Sequence, residues 1–168
     1  DVSGEDPTVN RLEALAAEKL GKEAGLFVTS GTQGNQVCVM AHTRRGDEVI
    51  VEEHCHIYNS EVAGLAALSA LQARPLRGTN GILDPEDVQR ASRPVNVHSA
   101  RTGLICIEST SNRGGGTYYP LETVAEIGGI GREAGIPVHL DGARIFNAQV
   151  ASGVPAAEFA RHVGSVQF

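Results

Sequence analysis

The stretch Leu104-Ile105-Cys106-Ile107 is apolar without a break, Ile136-Pro137-Val138-His139-Leu140 is nearly so, and each run stops at a carboxylate, Glu108 and Asp141 respectively. Runs this short fall well below the ~18 residues needed to span a membrane and match strands buried on both faces. A strand hidden on both faces belongs to a mainly parallel sheet with helices on either side, which restricts the chain to the α/β class. In such sheets ligands sit beyond the carboxyl ends of the strands, so Glu108 and Asp141 mark where chemistry is expected.

The rest of the chain alternates as that class requires. Asp6-Pro7 supplies a cap and a first-turn proline, and Val9, Leu12, Ala16 and Leu20 then share a helical face that Gly21 ends. Gly25 to Thr29 reads as a short strand, Ser30-Gly31-Thr32 as the turn after it and Gln33 to Thr43 as a helix. Val49 to Val51 predicts a strand, Ser60 to Ser69 a helix, Leu71 to Leu76 a short strand, and Asp84-Pro85 a capped helix reaching about Ser92. Pro94 to Arg101 reads as loop, Gly103 to Glu108 as strand, and Arg113-Gly114-Gly115-Gly116 as loop again. Pro120 opens a helix that runs to Ala134 and stops at Gly135, Ile136 to Leu140 is a strand, and Ser165 to Phe168 begins one more. The length of 168 residues suits a single domain with one core.

Charge and composition remove several functions. With 14 Lys and Arg against 20 Asp and Glu, the net charge is -6, and no basic stripe offsets it. Aromatic residues make up 4% and Trp is absent, so no base-stacking platform is expected and nucleic acid is excluded as a partner. The opening residues form neither a basic leader nor an apolar signal stretch, and no run is long enough for a membrane partner, which makes the cytoplasm the expected location. Three cysteines, Cys38, Cys55 and Cys106, lack the spacing of a disulfide framework or a metal site and suit a reducing compartment, with Cys38 and Cys106 expected in the core. Lysine occurs only at positions 19 and 22, ahead of Ser30-Gly31-Thr32, which limits any mechanism that needs an amine.

Four places carry candidate chemistry. Ser30, Gly31 and Thr32 open a helix, where free amides and a close glycine backbone can hold a single phosphate; the plainer reading is a strand-to-helix turn capped by Thr32. The absence of G-x-G-x-x-G and of G-x-x-x-x-G-K-[ST] weakens dinucleotide and nucleoside triphosphate readings. His54-Cys55-His56 follows a strand at the ligand edge. Neighbouring residues of an extended segment point opposite ways, so a metal site is disfavoured; either one imidazole faces the cleft, where it could stack on an aromatic cofactor, or these are ordinary loop histidines. Asp141 ends a strand beside Gly142 and Arg144: it is either a turn aspartate or the partner of a pyridinium nitrogen, with Arg144 then available to a carboxylate or phenolate oxygen. Glu108 and Arg113 could contact substrate or form an ion pair that anchors their loop.

The ordered motifs Gly4 to Glu13, Ser30-Gly31-Thr32 with Asn35-Gln36, Ala41-His42-Thr43 with Gly46-Asp47-Glu48, His56-Ile57-Tyr58, Asn112 to Gly116 and His139-Leu140-Asp141-Gly142-Ala143-Arg144 closely resemble the threonine aldolases over essentially the whole chain. That resemblance implies the large domain of the aspartate-aminotransferase-like, fold type I enzymes and the cofactor pyridoxal 5'-phosphate. It implies that Ser30, Gly31 and Thr32 hold the cofactor phosphate, that His56 stacks on the pyridine ring, that Asp141 pairs with the ring nitrogen and that Arg144 lies by the ring oxygen or the substrate carboxylate. The catalytic residues so implied are His56, Asp141 and Arg144. The implied reaction cleaves a β-hydroxy-α-amino acid such as threonine or allo-threonine to glycine and an aldehyde, in a homo-oligomer, dimer or tetramer.

Two departures stand out. Ser111 occupies the place of a family histidine near the substrate hydroxyl, and the family's Schiff-base lysine lies beyond Phe168, so the chain is expected to be a partial large domain without its opening segment and small domain. Related fold type I β-eliminating lyases or serine hydroxymethyltransferases, and a non-catalytic binding or assembly domain, are the alternatives.

Overall fold

The computed structural model describes residues 4–168. In chain order the elements are α1 (Pro7–Leu20), α2 (Gly31–His42), β1 (Glu48–Glu52), α3 (His56–Asn59), α4 (Gly64–Ala67), β2 (Gln72–Leu76), α5 (Pro85–Ala91), β3 (Thr102–Glu108), α6 (Leu121–Ala134), β4 (Val138–Asp141), α7 (Ile145–Ser152), α8 (Ala156–Ala160) and β5 (Ser165–Gln167). The five strands pair in parallel in the order β2-β1-β3-β4-β5. Among the described residues no helix is long and apolar enough to cross a membrane.

The apolar runs form strands covered on both sides. Val49, Val51, Leu104 and Cys106 pack with Val39 of α2, Ile57 of α3 and Leu65 of α4. Alternate residues Ile50, Ile105, Ile107 and Leu140 join Leu20, Val88, Val124, Ile127 and Phe159 on the opposite face. A period of two thus operates inside runs that look uniform in the sequence, because each face has its own helical layer. The outermost strand β2 contains Pro75, which an edge position tolerates.

Capping follows the residues expected of it. The Asp6 carboxylate accepts from the Thr8 and Val9 amides at 2.7 and 3.2 Å, Pro7 fills the first turn, and Gly21 closes α1 in the left-handed region at φ 62°. Asp84 caps α5 in the same manner, accepting from the Glu86 amide at 2.8 Å.

Two expected elements are corrected. Gly25 to Thr29 is not a strand: the Phe27 amide donates to Glu13 Oε1 at 2.7 Å and the Thr29 amide to Gln33 Oε1 at 2.9 Å. Side chains of the flanking helices take these two amides in place of a neighbouring strand, and Leu26 and Phe27 stay exposed. Ser60 to Ser69 is not one helix either. It contains only the single turn α4, preceded by Val62 and Ala63 at φ 51° and 58°. That break turns Glu61 inward and leaves Val62 in solvent.

The amino-terminal edge of the sheet is closed by arginines. Glu48 pairs with Arg74 and Arg93, each at 3.3 Å, and Asp47 with Arg101 at 2.5 Å. Burial pushes the Asp47 carboxyl up, but the Arg101 guanidinium and the Arg44 amide outweigh it and leave the group below its ordinary value.

Helix α6 contains adjacent glycines in different settings. A Cβ on Gly128 would lie 2.3 Å from the His162 carbonyl oxygen, whereas one on Gly129 would meet nothing nearer than Arg132 Nη2 at 3.9 Å. Gly128→Ala is expected to lower unfolding free energy by about 1–3 kcal/mol through overpacking. Gly129→Ala should raise it by up to ~1 kcal/mol through helix propensity. Urea denaturation of the two variants checks this: effects of the same sign would contradict the packing of α6 on the turn after α8.

Candidate active site

The chain turns from β1 to β2 on one side and to β3 on the other, and the crevice beyond their carboxyl ends is where open parallel sheets bind ligands. The His56 amide, opening α3 after β1, donates across this crevice to Glu108 Oε2 at 2.5 Å, and the Asn112 amide donates to Glu108 Oε1 at 2.9 Å. Glu108 therefore anchors two loops, through backbone amides and not through Arg113, whose side chain is exposed. Burial raises the Glu108 carboxyl above its ordinary value, against the pull of those amides.

One layer higher, α2 leans over the ends of β4 and β5. Gly34 permits this, since a Cβ there would fall 2.7 Å from Gln167 Cγ. The approach brings Asn35 onto Asp141: Asn35 Nδ2 donates to Asp141 Oδ2 at 2.9 Å and to Glu61 Oε1 at 2.8 Å. Asp141 Oδ1 accepts from the Ala143 amide at 3.2 Å and, with the Gln167 amide nitrogen turned inward, from Gln167 at 3.1 Å. Glu61 Oε2 takes Gln36 Nε2 at 2.7 Å, and Glu61 Oε1 lies 3.1 Å from His56 Nδ1. Ligand atoms of His56, Glu61 and Asp141 all fall within 4.8 Å of one another.

Burial raises the Asp141 carboxyl above its ordinary value, Asn35 and Ala143 act against this, and the nearby Glu61 charge adds to it. In contrast to the amino-terminal edge, no Lys or Arg among the described residues forms an ion pair with Glu61, Glu108 or Asp141. Buried carboxylates without a cationic partner are costly and are characteristic of functional sites.

Behind Asn35 runs a directional chain of hydrogen bonds. His139 Nε2 is 3.0 Å from Asn35 Oδ1, His139 Nδ1 is 2.8 Å from Ser165 Oγ, and His42 Nε2 is 2.8 Å from the same hydroxyl. Asn35 gives its two hydrogens to carboxylates, so its oxygen must accept from His139 Nε2. His139 Nδ1 then accepts from Ser165, whose oxygen accepts from His42. The fully buried His139 is held at about 3, by burial first and the neighbouring His42 second, and is neutral in the folded protein.

The expected site residues fall at this edge. Ser30, and not Thr32, caps α2, its hydroxyl accepting from the Gln33 amide at 3.1 Å. The Gly31 and Thr32 amides precede the first intrahelical bond, and Gly31 lies one helical turn of ~5.4 Å from Asn35. The helix opening and Asp141 thus share one side of the molecule. His54 faces solvent, Cys55 packs in the core with its thiol pushed up to about 12 by burial, and the half-exposed His56 imidazole faces Glu61. Arg144 precedes α7 with an exposed side chain. Ser111 is buried, its hydroxyl accepting from the Gly114 amide at 3.2 Å. Sequence reasoning missed Glu61, His139 and Gln167 and assigned Asn35 no role. The only signal for Glu61 was an acid inside an Ala- and Leu-rich stretch.

His139 makes stability depend on pH. Its folded value of about 3 lies below the ordinary 6.5, so the unfolded chain binds the extra proton. The stabilisation is complete above 6.5 and is lost as pH falls from there towards about 3. The unfolding free energy from urea denaturation should decline through that window by up to ~1.4 kcal/mol per pH unit from this group, and His139→Gln should flatten the decline. An unchanged slope in the variant would refute the assignment.

The beta-eliminating lyase family model matches residues 1–168. The low specificity L-threonine aldolase of Escherichia coli K12 is 41% identical over 166 residues, covering 98% of this chain and 49% of that protein. The low-specificity L-threonine aldolase 1 of Arabidopsis thaliana is 39% identical over 171 residues, covering 99% and 48%. The solved structure of Leishmania major threonine aldolase superposes with a TM-score of 0.85 at 25% identity, over 95% of this chain and 47% of that one. The chain spans about half the length of the relatives it matches. With a parallel sheet, a helix opening over its carboxyl edge and a match along all its residues, the chain belongs to the beta-eliminating lyase family.

Proposed function

We propose that this chain is the cofactor-binding part of a pyridoxal phosphate-dependent carbon–carbon lyase that cleaves β-hydroxy-α-amino acids of the threonine and allo-threonine type to glycine and an aldehyde. The observation that carries the reading is the Asn35 bridge, which puts the α2 opening and the Asp141 carboxylate within reach of one small aromatic phosphate. The donor set fits that molecule. The Gly31 and Thr32 amides and the Ser30 and Thr32 hydroxyls suit a phosphate at a helix amino terminus. Asp141 suits a protonated ring nitrogen, and the half-exposed His56 imidazole suits stacking on a ring. Arg144, exposed at the start of α7, remains for the substrate carboxylate or the ring oxygen.

Bound there, pyridoxal phosphate supplies the electron sink for the carbanion left when the Cα–Cβ bond breaks. Asp141 keeps a proton on the ring nitrogen, Asn35 holds the carboxylate in place, and the α2 opening fixes the phosphate. Neither lysine offers the Schiff-base amine: Lys22 Nζ donates to the Ala160 and Val163 carbonyls at 2.6 and 2.5 Å, and Lys19 lies in the last turn of α1. In this reading that amine comes from a part of the enzyme beyond residue 168, and the intact enzyme is a cytoplasmic homo-oligomer. β-Elimination is the second reading, favoured by the description of the matched family.

Titrating the full-length protein with pyridoxal phosphate and following its visible absorption tests the site. Asp141→Asn is expected to weaken binding roughly a hundredfold, since a buried charge partner is lost. Equal affinity would remove the pyridinium role. The folded-state value of Asp141 lies above the ordinary 3.8, so the folded protein binds that proton more tightly and stability is lost as pH rises from 3.8 through the folded value. Without cofactor, Asp141→Asn should flatten that pH dependence in urea denaturation between pH 3.8 and neutrality, and an unchanged slope would contradict the raised value. Glycine and acetaldehyde from threonine would support the aldolase reading, whereas a 2-oxo acid and ammonia would support elimination.

A further inference from the structure

Glu61 has no part in the chemistry above, yet the fold goes to some length to bury it. Its side chain has no exposed surface, and the two residues after it, Val62 and Ala63, both sit in the left-handed region that side chains disfavour. Local strain of this kind is held in place by the surrounding structure and gathers at functional positions. A mere staple between α2 and the α3–α4 segment would need only the Asn35 and Gln36 donors. The third contact, to His56 Nδ1 at 3.1 Å, reaches a ring that is 43% exposed at the crevice.

We propose that Glu61 is a positioning residue for the site. Its Oε1 accepts a hydrogen bond from His56 Nδ1–H, which fixes the imidazole in the Nδ1–H tautomer and leaves Nε2 as the bare nitrogen. The same oxygen shares the Asn35 amide with Asp141, so one carboxylate sets the His56 ring and steadies the group meant for the ring nitrogen. Outer contacts of this type orient the groups that touch a ligand. The proposal rests on reading the crevice as the pyridoxal phosphate site, but its first test does not need the cofactor.

The test uses full-length protein labelled with 15N at histidine, with the His56 signals assigned by their loss in His56→Asn. In cofactor-free wild type at alkaline pH, His56 Nδ1 should show the shift of a protonated ring nitrogen and Nε2 that of a bare one. Glu61→Gln should lose that preference and bind pyridoxal phosphate about tenfold more weakly. Gln36→Met removes a staple contact but leaves the His56 contact, and should keep both the tautomer and the affinity.

An Nε2–H tautomer in wild type would overturn the proposal, as would wild-type tautomer and affinity in Glu61→Gln, or equal losses in Gln36→Met. If Glu61→Gln does not fold, the wild-type tautomer still decides. If wild type does not bind pyridoxal phosphate, the reading of the crevice falls, while the tautomer measurement still judges Glu61.

Discussion

The Asn35 side-chain amide gives both of its hydrogens to carboxylates, one to Glu61 and one to Asp141, and the rest of the site depends on it. A neutral donor between two buried acids is the least that allows them to lie so close without a cation. Because Asn35 is one turn into α2 and Asp141 ends β4, the same two bonds also fix the height of the helix opening above the sheet. Gly34 makes the approach sterically possible, and Asn35 makes it specific.

The two edges of the sheet treat buried acids in opposite ways. At the amino-terminal edge Asp47 and Glu48 meet three arginines, and the charges are balanced within the chain. At the carboxyl edge Glu61, Glu108 and Asp141 meet amides and one imidazole, and Asp141 and Glu108 are raised by burial as a result. A fold selected for stability alone would place a guanidinium there too. An edge held by neutral donors stays open to a cationic group arriving from outside, and that group gains what the protein forgoes.

How much of this was legible depended on how local the cause was. The central strands β1, β3 and β4 were visible as apolar runs, and α1 and α5 as Asp-Pro caps, because those signals act within a few residues. Asp141 and Ser30 could be picked out for the same reason, since each ends or begins an element. The extended segment 25–29 misled because its apolar side chains resemble a strand, while its amides are satisfied by Glu13 and Gln33 across helices. Helices α7 and α8 went unread: at 8 and 5 residues they are too short to repeat the apolar face that revealed α6, which is also without a side-chain cap. Glu61 and His139 were out of reach for a different reason. Their partner Asn35 lies 26 and 104 residues away, so only the folded chain brings these residues together.

The same long-range contacts explain why a histidine is buried where charge would be harmful. The chain His42, Ser165, His139, Asn35 carries every donor towards the carboxylates, and that direction holds only while His139 has one ring proton. A second proton would make Nδ1 a donor, turn the Ser165 hydroxyl away and put a cation behind Asn35. Full burial opposes this by holding His139 at about 3, below its ordinary 6.5. The His139 contact that orients Asn35 is therefore unchanged by pH as long as the pH stays well above that value.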